Sequence, residues 1–489
     1  MFEETQSQYF IGQYKDTTDM AQENLVYPGP VVTKKPDFMK RDKLLVGMLF
    51  ITAFLVVYFA PPVVARVYFG ALFIYVFYSK EYGVLAAFYL VLLMNPVKLF
   101  RDVDLPFFSL TSGLSLTIYD ILGIILLAKA LSIKKRYLFL KSIFLLVGLL
   151  AVYLLVSFFD GSEFSNVVRT LRVYFYLSSY FVFSAFLSEK RHYDVFIRIV
   201  FVFAVLGVLD QVFALVTKKY LISFISAQEY GLTPFTLKGT DELRSFPSGF
   251  LLVYFALVFI FCNLKFFKGK VAYGYWLLGF FSLSILISST RQWLINLVIV
   301  FALTAIFTRS FKRTIFYPLV TILVLTVILV NLGVFSSSYL QRSVLERYGT
   351  IGEVMAGNYT SIDTRVRDLQ KIVKNASENF LFGMGFRAEK EDMDNDLSGF
   401  LNAIIRFGIL GAILFTSIFI TAIVKLGRSY VFTRDQTVLT LVFVWIALLV
   451  QYLAIYDFLS FSIFGITLIM LLLAFTERKI RDASLARRG

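Results

Sequence analysis

Histidine and cysteine are almost missing from this chain, with one of each, His192 and Cys262, among 489 residues. One cysteine excludes disulfides within the chain and thiolate metal cages, and one histidine excludes polyhistidine zinc sites. Charged residues are also scarce, at 17% of the total. The first 42 residues lack the short apolar core and small-residue cleavage site of a signal peptide. They are polar and carry Pro28, Pro30 and Pro36, with a basic cluster of Lys34, Lys35, Lys40 and Arg41 at their end and Lys43 just beyond it. This stretch reads as a cytoplasmic tail that holds the first helix on the positive side.

What fills the chain instead is apolar. Hydrophobic residues make up 58%, 55 of them phenylalanines, and runs near the bilayer-spanning length of about 20 residues recur throughout. The pattern predicts an all-α, polytopic membrane protein of about fourteen transmembrane helices. The expected spans are 43–60, 63–79, 82–96, 116–132, 138–158, 170–188, 194–216, 248–264, 271–288, 292–308, 314–334, 401–424, 436–454 and 457–475. The formal charge of +15 would suggest nucleic acid in a soluble protein. In a membrane chain its distribution matters more than its total, and no nucleic-acid partner is expected.

If the spans alternate, the basic clusters fall on one side. Lys80, Lys134 to Arg136, Lys190/Arg191, Lys265/Lys268/Lys270, Arg309/Lys312/Arg313, Lys425/Arg428/Arg434 and Arg478/Lys479/Arg481 then all accompany the N-terminal tail. Residues 1–42 and 477–489 become cytoplasmic tails, 43–335 holds helices 1–11 and 401–476 holds helices 12–14. The opposite face receives 97–115, 159–169, 217–247 and a large loop, 336–400. Arg101-Asp-Val-Asp104 on that face is a weak chelator at most, no catalytic metal or cofactor is expected, and Leu105–Leu116 reads as an amphipathic stretch along the interface.

The loop 336–400 carries most of the polar chemistry. Ile362–Glu378 reads as an amphipathic helix with Val366, Leu369, Ile372, Val373 and Ala376 at three- and four-residue spacing. Arg365 shares the apolar stripe, whereas Arg367 shares the other face with Lys371 and Lys374. Phe380-Leu-Phe-Gly-Met-Gly385 follows, then an acidic run of Glu389, Glu391, Asp392, Asp394 and Asp396. That run lacks the central glycine and twelfth-position glutamate of a calcium loop. Further arginines lie on the same face: Arg169 and Arg172 opening one span, Arg244 before Phe246-Pro-Ser-Gly249, and Arg291 after Ser288-Ser-Thr290. Each alone fits a side chain reaching into headgroups. Together they imply a polyanionic ligand, since guanidinium groups match phosphate oxygens in bidentate geometry. Phospholipid headgroups, a lipid-linked pyrophosphate and a translocated anion all satisfy that chemistry.

Three motifs carry a resemblance. Arg244-Ser-Phe-Pro-Ser-Gly249 entering a span, Ser288-Ser-Thr-Arg291 after a hydrophobic run, and Arg365 spaced before Gly383-Met-Gly385 and Gly408-Ile-Leu-Gly411 occur in that order across the last half of the chain. In this the chain resembles the bacterial O-antigen ligase and Wzy-type polysaccharide polymerase superfamily. It departs from the ligase pattern in having no histidine before the glycine-bearing span, and Asp394-Asn-Asp396 there is similar to the polymerase branch.

The resemblance implies a fold like the C-type lipid-dependent glycosyltransferases, located in the bacterial inner membrane with its active site on the outer face. Its substrate would be an undecaprenyl-pyrophosphate-linked oligosaccharide, with membrane lipids and a chain-length regulator or export partner as further contacts. Arg169, Arg172, Arg244, Arg291 and Arg365 would bind pyrophosphate. Arg291 and Arg365 would also stabilise the leaving group, with Asp396 orienting or deprotonating the attacking hydroxyl. Transfer of a finished glycan to another acceptor is the alternative. A transporter is disfavoured because no internal repeat is visible.

Overall fold

In lipid an unpaired backbone group costs several kcal/mol, so apolar runs form helices that satisfy their own N–H and carbonyl groups. The computed structural model describes residues 48–53, 55–56, 60–94, 108–111, 114–159, 164–217, 249–263, 271–288, 291–307, 316–331, 370, 373–375, 377–378, 380–387, 399–454 and 462–486. The chain divides into a short unit, Met1–Ile51, whose described residues are helical, and a second, Thr52–Gly489, which holds everything below.

The helices in order are α1 Pro62–Tyr78, α2 Tyr82–Met94, α3 Ile118–Ser132, α4 Leu140–Phe159, α5 Phe164–Phe175, α6 Ser179–Phe186, α7 Lys190–Thr217, α8 Phe250–Cys262, α9 Val271–Ile287, α10 Arg291–Phe307, α11 Tyr317–Asn331, α12 Gly399–Thr433, α13 Gln436–Ala454 and α14 Ile463–Ala486. Among the described residues four helices are long and apolar enough to cross a membrane, and six shorter apolar ones accompany them. Large apolar side chains remain exposed along them, Phe159 at 90% and Ile306 at 73%, as expected of surfaces that meet lipid and not water.

One expectation is corrected. The run 170–188 is not one helix: α5 and α6 are separated by a 3-10 turn, Tyr176–Ser178, where the Ser179 hydroxyl donates to the Tyr176 carbonyl at 2.6 Å. Serine at a turn offers the backbone a bond that a continuous helix would otherwise have to supply. The amphipathic stretch Leu105–Leu116 is extended over its described part. Phe108–Thr111 (β1) and Leu114–Leu116 (β2) form an antiparallel hairpin with Phe108 opposite Leu116, following their period-two alternation around Ser112-Gly113. The loop expected to be helical over Ile362–Glu378 is helical at its described residues 370, 373–375 and 377–378, where Val373 is 49% exposed.

α12 packs along α13, α13 against α10, α9 against α11, α2 against α7, and α14 against α6. One end of this bundle is tied by buried charge. Glu477 on α14 has no exposed surface; its Oε1 lies 2.7 Å from Arg481 Nη2 and 3.3 Å from Lys135 Nζ. Its Oε2 accepts the Leu138 N–H at 3.2 Å and the Tyr180 hydroxyl, whose oxygen accepts the Phe139 N–H at 3.0 Å. Lys425 donates to the Leu138 carbonyl, Arg478 to the Leu187 carbonyl, and Arg191 pairs with Glu81 at 3.3 Å. His192 is buried in the first turn of α7, against the Tyr82 ring.

Burial pushes the Lys135 ammonium down from 10.5 to about 8, with Glu477 opposing the shift. Because the folded value lies below the unfolded one, the unfolded chain holds this proton more tightly between the two. The lysine's contribution to stability therefore rises with pH across that window. Removing one partner of a buried pair leaves the others uncompensated, so Glu477→Gln is expected to cost about 3 kcal/mol, read as a lower unfolding temperature in detergent. Lys135→Met is expected to flatten the rise above about pH 8; an unchanged pH profile would show that the lysine does not titrate there.

Candidate functional site

The motifs Gly383-Met-Gly385 and Gly408-Ile-Leu-Gly411 are packed on one another. In a continuous helix the Ile409 N–H would bond the Ile405 carbonyl. Gly408, at φ 63° and ψ −174°, separates them. Segment 380–385 takes up both: the Met384 N–H donates to the Ile405 carbonyl and the Ile409 N–H to the Phe380 carbonyl, each at 2.7 Å. Glycine sets the clearance on both sides. A Cβ on Gly408 would stand 2.1 Å from the Leu381 carbonyl oxygen, and one on Gly383, at φ 66°, 2.5 Å from the Arg406 carbonyl.

The Tyr153 hydroxyl of α4 closes this joint, sharing its proton between the Phe407 carbonyl at 2.7 Å and the Phe382 carbonyl. Tyr174 of α5 lies against Phe386 and Phe407, so α4, α5 and α12 all meet the loop. Arg406 is 7% exposed, two residues before the break. An ionisable residue inside an apolar run points to function, and Arg406 carries that signal within the expected span 401–424.

A second cluster joins α3 to α5. The Asp120 carboxylate is 3% exposed and accepts four hydrogen bonds beside an ion-pair contact. Its Oδ2 receives the Thr117 N–H at 2.9 Å and the Thr117 hydroxyl at 2.7 Å, and lies 2.8 Å from Arg172 Nη2. Its Oδ1 receives Arg172 Nε at 3.1 Å and the Tyr176 hydroxyl at 2.5 Å. Arg172 Nη2 also donates to Thr117 Oγ1 at 2.8 Å, and the guanidinium lies over the Tyr119 ring at 5.3 Å. Thr117-Ile-Tyr-Asp120 ahead of an apolar run has capping-box spacing, a legible helix start whose carboxylate acquired a second role.

Two neutral networks cross the interior. The Tyr254 hydroxyl donates to Asn296 Oδ1 at 2.7 Å and Asn296 Nδ2 to Gln451 Oε1 at 3.1 Å, joining α8, α10 and α13. The Ser284 hydroxyl donates to Gln211 Oε1 at 2.6 Å, joining α9 and α7.

Of the arginines singled out in the sequence, Arg172 is held by Asp120, and Arg169 stands one turn earlier on α5. Arg291 is the first residue of α10. By helical phase its Cα stands in the row of the exposed Ile295 and Val298 and not in that of the buried Trp293 and Asn296. Arg244 lies outside the described residues, though Gly249, which ends its motif, opens α8 in a left-handed conformation. Arg365, Arg367 and Asp396 also lie outside them. Among the described residues no group of three or more His, Cys, Asp or Glu side chains is placed to hold a metal ion. No protein-family model, curated protein or solved structure matches the chain.

The joint yields a prediction. Tyr153→Phe removes one shared hydrogen bond and is expected to cost about 1 kcal/mol. Gly408→Ala forces a side chain into a left-handed backbone and onto a carbonyl, so it is expected to detach 380–387 from α12. A cysteine placed at Met384 should react with a maleimide several-fold faster in the Gly408→Ala background than in the parent. Equal rates would mean that the loop tolerates a side chain at the break.

Proposed function

We propose that this chain is an integral-membrane glycan polymerase that transfers a growing glycan from undecaprenyl pyrophosphate to the terminal sugar hydroxyl of a lipid-linked repeat unit. The observation that carries the reading is the glycine joint. Two motifs of the resemblance, 25 residues apart between Gly383 and Gly408, are interlocked by reciprocal backbone bonds, which anchors the end of the arginine-bearing loop to the buried Arg406 segment. Supporting it are the arginines spread over separate segments, and the meeting of Lys135, Lys425, Arg478 and Arg481 at one end of the bundle. That meeting fits a cytoplasmic end opposite the joint in a fourteen-span topology with both termini cytoplasmic.

In this reading the acceptor hydroxyl attacks the anomeric carbon, the bond to the pyrophosphate oxygen breaks, and the electron pair leaves on the pyrophosphate. Arg291 and Arg365 stabilise the charge that builds on that oxygen, more in the transition state than in the ground state. Arg169, Arg172 and Arg244 hold the phosphates, and Asp396 orients the hydroxyl and takes its proton, giving inversion without a metal. The polyprenyl chain enters sideways from the bilayer.

Purified protein given lipid-linked repeat units should produce a ladder of products; a single transfer would indicate the ligase chemistry and intact substrate neither. Arg365→Lys is expected to lower turnover by about 10²–10³, as loss of one oxyanion donor does, while Arg367→Lys changes it little. Equal activity of the two variants would return Arg365 to a headgroup role. For topology, Met355→Cys should be labelled by an impermeant maleimide in intact cells (outer membrane permeabilised if present) and Leu485→Cys should not. The native Cys262 is fully buried and gives a silent background; reversed labelling would overturn the orientation.

A further inference from the structure

We propose that Asp120 is a positioning residue that turns Arg172 into an oriented receptor for a phosphate oxyanion at the membrane face. The inference rests on the reading above only for the identity of the anion. A guanidinium has five donors. Asp120 and Thr117 engage the Nε and Nη2 edge, and no partner for Nη1 occurs among the described residues. The side chain as a whole retains 27% exposure while the carboxylate beneath it has 4%. The cradle is over-determined: Thr117 through both its N–H and hydroxyl and Tyr176 through its hydroxyl saturate the carboxylate, so Asp120 cannot swing away to meet another cation. Arg172 is thereby fixed in one rotamer, with the Tyr119 ring against its plane.

A lone lysine or a mobile arginine would have to lose side-chain freedom on binding, whereas this one has lost it already. A carboxylate behind a cation lowers its net charge, so the arrangement favours directional recognition of a phosphate oxygen over general attraction to anions. Two sources offer that chemistry, a polyprenyl pyrophosphate and an anionic phospholipid headgroup.

The test uses the full chain in nanodiscs of phosphatidylcholine, with undecaprenyl pyrophosphate titrated in and tryptophan fluorescence as the readout. Arg172→Lys and Asp120→Asn are each expected to weaken binding by about tenfold or more, the loss of a charge-assisted hydrogen bond. The double variant should be no weaker than Arg172→Lys alone, because Asp120 acts through the arginine. A merely structural carboxylate would give additive losses. Arg191→Gln, an exposed pair on another part of the bundle, should bind as the parent does.

A second arm replaces the titrant with phosphatidylglycerol-rich discs. A response there that Arg172→Lys abolishes, with none to undecaprenyl pyrophosphate, assigns the receptor to headgroups. Binding that survives in a chain with no turnover would remove the polymerase reading and leave this one standing. Should Asp120→Asn fail to fold, Thr117→Val and Tyr176→Phe, which keep the ion pair, are expected to weaken binding about threefold. Parent-like affinity in the folded Asp120→Asn protein, or in both milder variants, overturns the proposal.

Discussion

Backbone polarity inside an apolar body is the constraint on which the rest of this structure depends. Every place where a helix stops or breaks releases carbonyls and N–H groups that lipid cannot satisfy. At several of the described places the chain answers with a specific donor or acceptor. Lys129 collects the last carbonyls of α1, at 2.8 Å from Val76 and 2.9 Å from Phe77, and Ser179 covers the carbonyl at the break between α5 and α6. Tyr153 covers Phe407, and segment 380–385 takes both orphans of the Gly408 break.

This explains where long-range contacts concentrate. Aliphatic packing between apolar helices is non-directional and holds many arrangements at similar energy, whereas a carbonyl paired with a lysine or tyrosine from a distant segment admits one. The connector 133–139 is an example: Tyr180, Glu477 and Lys425, from three different helices, all bond its backbone. The polar residues are few, yet they set the register of the apolar ones.

Two buried carboxylates show how the same chemistry serves different ends. Glu477 is enclosed by Lys135, Arg481, Tyr180 and a backbone N–H, and nothing of it reaches the surface. It neutralises cations that tie connectors together. Asp120 is held by Thr117 and Tyr176, and its arginine keeps 27% of its side chain exposed, against 42% for the Arg481 that pairs with Glu477. The difference lies in what is anchored: Glu477 ties the connector before α4 to α14, whereas Asp120 fixes one guanidinium of α5 against α3.

Amino-acid order alone determined where the apolar helices would lie, because a run of apolar residues has no cheaper backbone in a low-dielectric surround. Described helices accordingly fall on the expected runs from 63–79 onward, with two of those runs broken, 170–188 at Tyr176–Ser178 and 401–424 at Gly408. It also marked Gly383, Gly385 and Gly408 as special, since only clearance or a left-handed backbone explains glycine there. Tertiary structure decided what those marks were for. That Gly408 would open a helix to receive residues 380–385, that Asp120 would seize Arg172 across 52 positions, and that Glu477 would be buried among donors from loops over 300 residues away are matters of pairing between distant segments. Local spacing carries no information about such pairing, because the energy that selects it belongs to the buried polar contact and exists only once the helices have met.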